Sequence, residues 1–497
     1  MVRAAIALSI FLACCSRGTS GELHHAGELS LEPYTFRTFD GSAHAAELGK
    51  LWVRENRGSS SDRLIEIAFI RIKSSAQKPR SPVVFLPGGP GIPATGMGRV
   101  PVYYQLFEKL QAISDVVLVD QRGIGMSSPN TGCPAGSPPA PDAFATESGF
   151  RGALIARARA CADYWRAKGV ELASYSTAAS ADDLEDLRRA LGAEKLSLIA
   201  HSYGTSLALE AVRRHGEHLE RVVLAGVEGP DRSLQMPIVP DFALRRLSNW
   251  AATSPKLHGV FPDTYREFQK LLAQADREPL TVSIQNQGAK ADVDVKVGAF
   301  FLRFAVKEML PNGRKAGRIP GFVYALTRGD TSPLREMVQD LYGGLTSGFS
   351  AMQFAVSCSD GWSLARRELA VEQASHSVFG DAPFVHLDAG LCDSIKVPIG
   401  NNDSLLPIWS PVRILVVNGT LDSNTPDFQA GETLWGLPNG GSVLVENGFH
   451  ETLPAPEVQA VVAEFFSGAD VRNRSIKFAP PEFLSIEEAK SSQQPSR

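Results

Sequence analysis

A serine lies at the turn between two stretches of strongly patterned sequence. Residues 195–200, "KLSLIA", form a short apolar run typical of a buried strand, and the pattern after Gly204 is typical of a helix. Such a tight turn raises the hydroxyl of Ser202 out of the sheet, at the edge where the strands end. A serine hydroxyl becomes an effective nucleophile only when a base removes its proton. The position therefore predicts a nucleophile at Ser202; the alternative is a serine that only caps the helix.

A candidate acid and a candidate base lie far downstream, each just after an apolar run. "LVVNGTLDSNTP" predicts a strand that ends near Asp422, and "VLVENGFHETLP" predicts the next strand, followed by His450. His450 is the only histidine after Asp422. The order serine, carboxylate, histidine predicts a relay in which the carboxylate orients the base. The alternatives are a turn residue at Asp422 and a surface loop histidine at His450.

Two backbone amides are candidates for stabilising the oxyanion of an acyl-transfer reaction. "PVVFLPGGPG" predicts a buried strand that ends in a loop of glycine and proline, where Gly89 exposes its N–H. Tyr203, directly after the candidate nucleophile, supplies a second N–H. The alternative is a plain turn. A phosphate-binding loop is disfavoured because no Lys followed by Ser or Thr comes after the glycines.

Strands and helices alternate along most of the chain, which predicts a mostly parallel sheet with helices on both faces. Two β-rich runs at 50–56 and 63–73 predict antiparallel strands before it. A helix is predicted over 180–191, with Ser180 as its N-cap. Segment 231–405 interrupts the alternation with helical patterns and is long enough to form a separate lid. Two strands are predicted after this insertion.

Composition excludes several classes of protein. The chain has 497 residues, of which 43% are hydrophobic and 21% charged, as in ordinary globular proteins. The formal net charge of -4 gives no indication of nucleic-acid binding. Beyond the N-terminus, no stretch has the roughly 18 uninterrupted apolar residues of a membrane helix. No CxxC or paired-histidine spacing occurs, so no metal site is expected.

The N-terminus is typical of an export signal over residues 1–20. One arginine precedes the apolar run 4–13, which is too short to span a membrane. "FLAC" resembles a bacterial lipobox, which would make Cys14 a lipidated first residue and the anchor to a membrane. Phe11 is unusual in a lipobox, so ordinary cleavage near 18–21 stays open. We expect a periplasmic protein, an outer-membrane lipoprotein or a secreted protein.

Four cysteines remain after the signal. An oxidising compartment favours their pairing. Proximity in sequence suggests Cys133 with Cys161 and Cys358 with Cys392. This is one of the three ways in which four cysteines can pair.

Five motifs in this order resemble one family. "GGPG", "DQRGIGMSS", "HSYGT", "NGTLDSNTP" and "GFH" resemble the α/β-hydrolase family of proline iminopeptidases and tripeptidyl aminopeptidases, over about 29–466. The resemblance implies an α/β-hydrolase fold, with a mostly parallel sheet flanked by helices and a mainly helical lid inserted before the last two strands. The core then comprises 29–230 and 406–480 and the lid 231–405. The polar tail 481–497 is expected to be disordered.

The resemblance also implies the roles of individual residues. It makes Ser202 the nucleophile, Asp422 the orienting acid and His450 the base. Gly89 and Tyr203 would form the oxyanion hole. No cofactor is implied, because such a relay needs none.

Other positions match or depart from the family. Cys358 in "VSCSD" and Cys392 resemble the secreted branch with a tripeptidyl-aminopeptidase-like C-terminal segment. Segment 120–123 would support the sheet edge near the site. Pro87 stands where relatives commonly have histidine, and Ala200 stands where they have glycine. Neither departure removes a catalytic group, but together they leave the subfamily open.

An exopeptidase must recognise a free α-ammonium group, which takes carboxylates at the boundary of lid and cleft. Glu228, after a predicted strand end, and Asp360, beside Cys358, are the candidates; the alternative is that both are solvated loop carboxylates. The predicted protein is an exported serine aminopeptidase that releases N-terminal residues or short peptides.

Two other functions stay open. One is a carboxylesterase, because the same residues cleave esters and amides. The other is a non-catalytic binding protein. The expected partner is a peptide or a small ester or amide, and the oligomeric state is not readable from the sequence.

Overall fold

The computed structural model describes residues 24–232, 235–257, 263–285, 292–387, 389–400, 403–484 and 488. The predicted export signal, with Cys14, lies outside the described residues. In the described part of the chain, no helix is both long enough and apolar enough to cross a membrane.

A ten-stranded sheet forms the centre of the described structure. The strands of the described residues, ten in this sheet and two in a separate hairpin, are β1 (Leu29–Arg37), β2 (Ala43–Arg54), β3 (Leu64–Ile72), β4 (Arg80–Leu86), β5 (Ser114–Val119), β6 (Leu196–His201), β7 (Leu219–Ala225), β8 (Leu280–Ile284), β9 (Val293–Val297), β10 (Arg413–Gly419), β11 (Gly440–Glu446) and β12 (Arg474–Lys477). The sheet order is β1-β2-β3-β5-β4-β6-β7-β10-β11-β12, antiparallel from β1 to β5 and parallel from β5 to β12. β8 and β9 form a separate antiparallel hairpin.

Helices follow most of the parallel strands and also fill the insertion. They are α1 (Ala94–Met97), α2 (Pro101–Gln111), α3 (Glu147–Ala167), α4 (Thr177–Ala190), α5 (Tyr203–His215), α6 (Ile238–Thr253), α7 (Thr264–Arg277), α8 (Ala299–Met309), α9 (Gly313–Ala316), α10 (Ile319–Leu326), α11 (Arg335–Ser347), α12 (Ala351–Asp360), α13 (Leu364–His376), α14 (Ala389–Ile395), α15 (Asp427–Leu434) and α16 (Pro456–Ser467). Short 3-10 helices lie at Leu172–Ser174, Gly216–His218, Ser332–Leu334, Ala382–Leu387 and Asp403–Leu405.

Both faces of the parallel strands are covered, which explains their continuous apolar sequences. Successive β4 side chains point to opposite faces. Val84 and Leu86 pack with residues of α4 and α5, whereas Val83 and Phe85 pack with residues of α2 and α16. All six residues of β6 are buried. The strand that leads to Ser202 is therefore held rigidly.

The insertion between β7 and β10 carries α6 to α14 and the hairpin, which the sequence did not predict. Its hydrophobic cluster contains Phe268 and Phe301, but also Phe150 and Leu154 of α3. The predicted boundary at 230 therefore does not coincide with the packing, because α3 turns its apolar face toward the insertion. Three strands follow the insertion rather than two, since β12 adds an edge strand beside β11.

The described residues form two disulfides. Cys133 is bonded to Cys161 on α3, and Cys358 on α12 is bonded to Cys392 on α14. These are the pairs that proximity in sequence suggests.

Two local predictions differ from the structure. The cap of α4 is Ser176, whose hydroxyl accepts a hydrogen bond from the Ala179 N–H at 3.1 Å, whereas Ser180 is buried inside the helix. The first residues of the predicted disordered tail are packed, because Phe483 is 7% exposed in the cluster of the insertion. Residues 485–497, apart from 488, lie outside the described residues.

Candidate active site

Ser202 lies between the end of β6 and the start of α5 in a strained backbone conformation. Its φ of 55° and ψ of -130° are outside the regions that non-glycine residues ordinarily adopt. The Ser202 N–H donates to Ala225 O at 3.0 Å, and the hydroxyl of Thr205 donates to Ser202 O at 2.6 Å. These bonds fix the turn that lifts the serine side chain above the sheet.

The turn depends on a close approach between α5 and the end of β4. A Cβ on Gly204 would lie 2.0 Å from Leu86 O, so only glycine fits there. A Cβ on Gly88 would lie 2.7 Å from Ser202 Cβ, which places the glycine loop directly against the serine. Ala200 is fully buried in β6, so the sheet accommodates its methyl group.

Asp422 and His450 lie together at the carboxyl ends of β10 and β11, as the sequence predicts. His450 Nδ1 is 2.8 Å from Asp422 Oδ2. Asp422 also accepts hydrogen bonds from the N–H groups of Asn424 and Thr425, at 2.8 and 2.9 Å, and from the Thr425 hydroxyl at 2.6 Å. The loop that follows Asp422 thus holds the carboxylate in position beside the imidazole.

The two side chains stabilise each other's charge. Burial alone would raise the pKa of Asp422, but the adjacent His450 and the hydrogen bonds from His450 and Thr425 hold it below its ordinary value. Burial alone would lower the pKa of His450, but the Asp422 carboxylate raises it above its ordinary value. Asp422 therefore stays ionised and favours a protonated imidazole beside it.

The backbone of His450 is anchored by two contacts with distant parts of the chain. Its N–H donates to Pro311 O of the insertion at 3.0 Å, and its carbonyl lies 3.2 Å from His201 Nε2. A Cβ on Gly226 would lie 3.1 Å from the imidazole, so this glycine leaves room for the ring. Gly226 follows Ala225, the acceptor of the Ser202 N–H. The imidazole and Ser202 therefore share one corner of the sheet edge.

The structure joins Asp422 to His450 but not His450 to Ser202. Among the described residues, the Ser202 hydroxyl makes no hydrogen bond to the imidazole. Hydrogen bonds between a nucleophile and its base are often long in unliganded enzymes and shorten when substrate binds. All three predicted residues thus lie at one site, and the hydrogen bond between Ser202 and His450 is the one that is not formed in this structure.

The two predicted oxyanion donors lie next to residues of the serine turn: Gly89 follows Gly88, which packs on Ser202, and Tyr203 follows Ser202 itself. Gly89 has φ of 115° in the loop that contacts Ser202, and Tyr203 is the first residue of α5. Within the described residues, neither the Gly89 N–H nor the Tyr203 N–H donates a hydrogen bond. Both amides are therefore free to donate a hydrogen bond to the oxyanion that would form if Ser202 Oγ attacked a carbonyl group.

Glu228 and Asp360 line one narrow cavity of about 40 Å³ beside this corner. Asp360 Oδ2 accepts a hydrogen bond from the Thr177 hydroxyl at 2.7 Å, and that hydroxyl is 2.8 Å from the Tyr203 hydroxyl. The Glu228 carboxylate has no hydrogen-bonding partner among the described residues. The structure thus places both predicted carboxylates on one cavity. Asp360 is linked through the Thr177 hydroxyl to Tyr203, the residue that follows Ser202.

Both carboxyl groups are poorly solvated. Burial raises the pKa of Glu228 to about 7. Burial, assisted by the nearby Glu228 carboxylate, raises the pKa of Asp360 to about 7. The charge of His450 favours an ionised Glu228 and Arg213 also lines the cavity, but neither carboxyl group forms an ion pair with a described residue. A positive charge placed between the two carboxyl groups would stabilise both in their ionised form.

The fold and these motifs match a known family. A family model described as the alpha/beta hydrolase fold matches residues 81–453. The chain belongs to the α/β-hydrolase fold family. The fold predicted from the sequence is confirmed.

Two relatives of this α/β hydrolase are enzymes of Streptomyces. The tripeptidyl aminopeptidase of Streptomyces coelicolor is 27% identical over 220 residues, which are 40% of this chain and 39% of that enzyme. The tripeptidyl aminopeptidase of Streptomyces lividans is also 27% identical over 220 residues, 40% of each chain. The match thus spans about two fifths of the length of each relative. The solved structure of MGS-M2, an α/β hydrolase from a deep-sea metagenome library, covers 82% of this chain and 95% of its own, with 14% identity and a TM-score of 0.37.

Segment 120–123 of the hydrolase, which the family resemblance makes a support of the sheet edge, follows β5 directly. The guanidinium of Arg122 is fully buried and forms two hydrogen bonds of 2.7 Å to the carboxylate of Asp183 on α4. Asp120 accepts hydrogen bonds from Thr95 and from the Met126 N–H. These contacts tie the loop after β5 to α1 and α4 and touch none of the reacting groups.

Sequence reasoning missed the residues behind His450. His201 is buried, and its ring centre is 4.8 Å from that of His450. Its Nε2 is 3.9 Å from Glu451, whose carboxylate accepts a hydrogen bond from the Tyr103 hydroxyl at 2.5 Å. Burial lowers the pKa of His201, so it is neutral and can donate to the His450 carbonyl. The position of His201 beside the serine was visible in the sequence, but its partners were not.

Proposed function

We propose that this α/β hydrolase is an exported serine aminopeptidase that releases an N-terminal residue or a short N-terminal peptide. The observation that carries the proposal is the pair Glu228 and Asp360, two poorly solvated carboxyl groups in one cavity beside the serine turn. An ester has no need of such a pair. A peptide with a free α-ammonium group supplies the positive charge that the pair lacks.

The proposed reaction begins at Ser202. Its Oγ attacks the scissile carbonyl carbon while His450 Nε2 takes the hydroxyl proton, and the Asp422 carboxylate stabilises the resulting imidazolium. The carbonyl oxygen becomes an oxyanion that accepts hydrogen bonds from the N–H groups of Gly89 and Tyr203. His450 then gives its proton to the leaving amine, and the C–N bond breaks to leave an acyl-enzyme.

Water completes the turnover. His450 removes a proton from the water as its oxygen attacks the acyl carbon, and the proton passes to Ser202 Oγ when the ester bond breaks. The product is a carboxylic acid with its free amine still held by the carboxylates. No metal or redox group is needed in this sequence of steps.

Recognition of the amine is the step that sets the specificity. An ammonium group between Glu228 and Asp360 lowers the pKa of both groups and keeps them ionised. Because the site is narrow and poorly solvated, an N-acylated substrate would leave these carboxyl groups without a partner. Such a mismatch weakens binding strongly, since a buried polar group then loses its hydrogen bonds.

Two further observations support the proposal. The partial match to two tripeptidyl aminopeptidases favours a peptide substrate. The two disulfides favour an oxidising compartment, which agrees with an export signal over residues 1–20. Lipidation of Cys14 would in addition attach the protein to a membrane.

The proposal is tested by comparing an unblocked alanyl or prolyl arylamide with its N-acetylated counterpart. We expect the free amine to be preferred at least about 100-fold in kcat/KM, with Ser202→Ala as the inactive control. Glu228→Gln should remove most of that preference while leaving hydrolysis of p-nitrophenyl butyrate unchanged. If only the ester is hydrolysed, and Ser202→Ala abolishes that activity, the protein is a carboxylesterase; if Ser202 does not react with a fluorophosphonate, it is a binding protein.

A further inference from the structure

His201 is a buried histidine to which the proposed reaction assigns no step. It is the last residue of β6, directly before Ser202, and is 2% exposed. Its ring centre is 4.8 Å from that of His450, although 249 positions separate the two residues in the sequence. The residue before the proposed nucleophile is therefore in contact with the proposed base.

The ring nitrogen Nε2 of His201 lies between two hydrogen-bond acceptors. The carbonyl oxygen of His450 is 3.2 Å away, and the carboxylate of Glu451 is 3.9 Å away. Nε2 therefore carries a proton and donates it to the nearer acceptor, the His450 carbonyl. Burial lowers the pKa of His201, so the ring stays neutral. It adds no repulsion when His450 becomes protonated in the proposed reaction.

Tyr103 holds the Glu451 carboxylate away from this N–H group. The Tyr103 hydroxyl donates to Glu451 Oε2 at 2.5 Å, and the same oxygen lies 3.9 Å from His201 Nε2. Tyr103 is buried on α2, whereas the side chain of Glu451 is 44% exposed. Hydrogen bonds to ionised groups are the stronger ones. Without the tyrosine hydroxyl, the carboxylate is therefore free to take the His201 N–H from the His450 carbonyl.

The other contacts of the His450 backbone do not involve the strand of the nucleophile. Its N–H donates to Pro311 O of the insertion at 3.0 Å, and its carbonyl also accepts from the Thr452 N–H, in its own loop, at 3.2 Å. Among the described residues, only His201 joins this backbone to β6 by a hydrogen bond. Because Ser202 and the imidazole are not hydrogen-bonded to each other, the bond from His201 sets their separation.

We propose that His201 is a positioning residue that holds His450 at the distance from which it can take the proton of Ser202. Through one hydrogen bond, the residue before the nucleophile fixes the backbone that carries the base. A displacement of about 1 Å can lower a reaction rate about 100-fold. This role rests on the proposed reaction, in which His450 is the base of Ser202, and it applies to cleavage of an ester as well as of an amide.

The test compares two replacements of His201 in the full chain. His201→Gln keeps an N–H donor at nearly the same reach, whereas His201→Phe keeps a ring but removes the donor. We expect His201→Phe to lower kcat for p-nitrophenyl butyrate at least about tenfold with KM unchanged, and His201→Gln to retain most of the activity. His44→Phe is the matched control and should leave kcat unchanged, because His44 also stacks on an aromatic ring, that of Tyr104 at 3.8 Å, but lies on β2 away from the reacting residues.

The pH profile of kcat/KM separates positioning from packing. The titratable groups near the His450 imidazole are Asp422, Glu228, Glu451 and His201. Burial would lower the pKa of His450, but the Asp422 carboxylate, 2.8 Å away, raises it. A displaced imidazole loses part of this effect, so the acid-side fall of kcat/KM should move to lower pH in His201→Phe but not in His201→Gln. Both variants lack the titratable ring, so its loss cannot explain a difference between them.

Thermal unfolding shows which variants are folded. If His201→Phe is not, Tyr103→Phe provides the test: it should lower kcat by freeing Glu451, and the further change Glu451→Ala should restore it. Positioning by His201 is wrong if Ser202→Ala abolishes ester hydrolysis while the folded variant, His201→Phe or in its place Tyr103→Phe, keeps the original kcat. It is also wrong if His201→Gln and His201→Phe lose the same activity. If the unchanged protein does not hydrolyse the ester, or if Ser202→Ala is equally active, the proposed reaction itself is wrong, and the role of His201 with it.

Discussion

At the scale of single residues, the site is built from a few positions where one atom more would not fit. Atoms packed against the turn hold the backbone of Ser202 in its strained conformation. Gly204 lies against the carbonyl of Leu86, and Gly88 lies against the serine itself. The strain is therefore maintained by close packing around the turn.

Gly204→Ala should disrupt this turn. The added Cβ would lie 2.0 Å from Leu86 O, so the backbone of α5 or β4 must move. We expect the free energy of unfolding to fall by about 2 kcal/mol or more, together with most of the activity. Gly431→Ala in α15 is the matched control, because nothing lies within 4 Å of its Cβ; it should raise stability by up to about 1 kcal/mol. Chemical denaturation of both variants measures the difference, and equal effects would contradict the packing argument.

The pH dependence of the proposed reaction should separate the proposed base from the proposed amine site. The base must be neutral to accept a proton, so kcat/KM falls as pH falls through the pKa of His450, which lies above its ordinary value of 6.5. For a substrate with a free amine, protonation of Glu228 and Asp360 near pH 7 should steepen this fall.

Profiles of log kcat/KM for an aminoacyl arylamide and for a neutral ester make this comparison. The ester should lose activity with the slope of about one expected for a single proton, and the arylamide with a larger slope. Glu228→Gln should make the arylamide profile shallower. Parallel profiles for the two substrates would show that the carboxylates do not bind the amine.

The predicted reacting residues were readable from the sequence because each follows an apolar run that ends at the same sheet edge. Ser202, Asp422 and His450 are placed by this local pattern. The cluster of His201, Glu451 and Tyr103 was not, because its contacts join positions up to 348 residues apart. No pattern in one sequence reports such pairs.

At the scale of elements, the disulfide between α12 and α14 lies close to the proposed amine site. Asp360 is the last residue of α12, two residues after Cys358. Cross-links that close loops of 28 and 34 residues stabilise a fold by similar amounts, about 3 to 4 kcal/mol. Their effects on catalysis should differ, because only one of them lies beside Asp360.

Replacing Cys358 and Cys392 together by serine should therefore raise KM for substrates with a free amine more than it lowers kcat. Replacing Cys133 and Cys161 by serine should lower stability to a similar degree and leave KM unchanged. Steady-state kinetics at a temperature where both variants are folded checks this. A rise in KM in both variants would mean that the effect is general loosening of the helices.

The structure also shows why some elements were predicted and others were not. The parallel strands have continuous apolar sequences because both faces are covered, and this pattern is visible locally. The helix α4 begins one turn earlier than predicted, with Ser176 as its cap, so Ser180 lies inside it. Asp183 also lies inside the helix and pairs with Arg122. The sequence could not reveal that partner, 61 residues away.

At the scale of the whole molecule, the insertion and the core share side chains. Phe150 of α3 packs on Phe300 of α8, with ring centres 5.4 Å apart, in the same cluster that contains Tyr203. We therefore expect a single cooperative unfolding transition rather than separate melting of the insertion.

Phe150→Ala should lower the free energy of unfolding by about 3 to 5 kcal/mol and shift this whole transition. Phe39→Ala is the matched control, since Phe39 is 63% exposed. Scanning calorimetry measures both variants. Two resolved transitions, of which only one moves, would show that the insertion unfolds independently.

The hydrogen bond from the His450 N–H to Pro311 O links the proposed base to the insertion. Any motion that lifts the insertion from the sheet must break this bond. A conformation open enough to admit a long peptide would then hold the imidazole less firmly than the closed one. For the proposed aminopeptidase, a long peptide would then enter in one conformation and be cleaved only after the insertion has returned to the sheet.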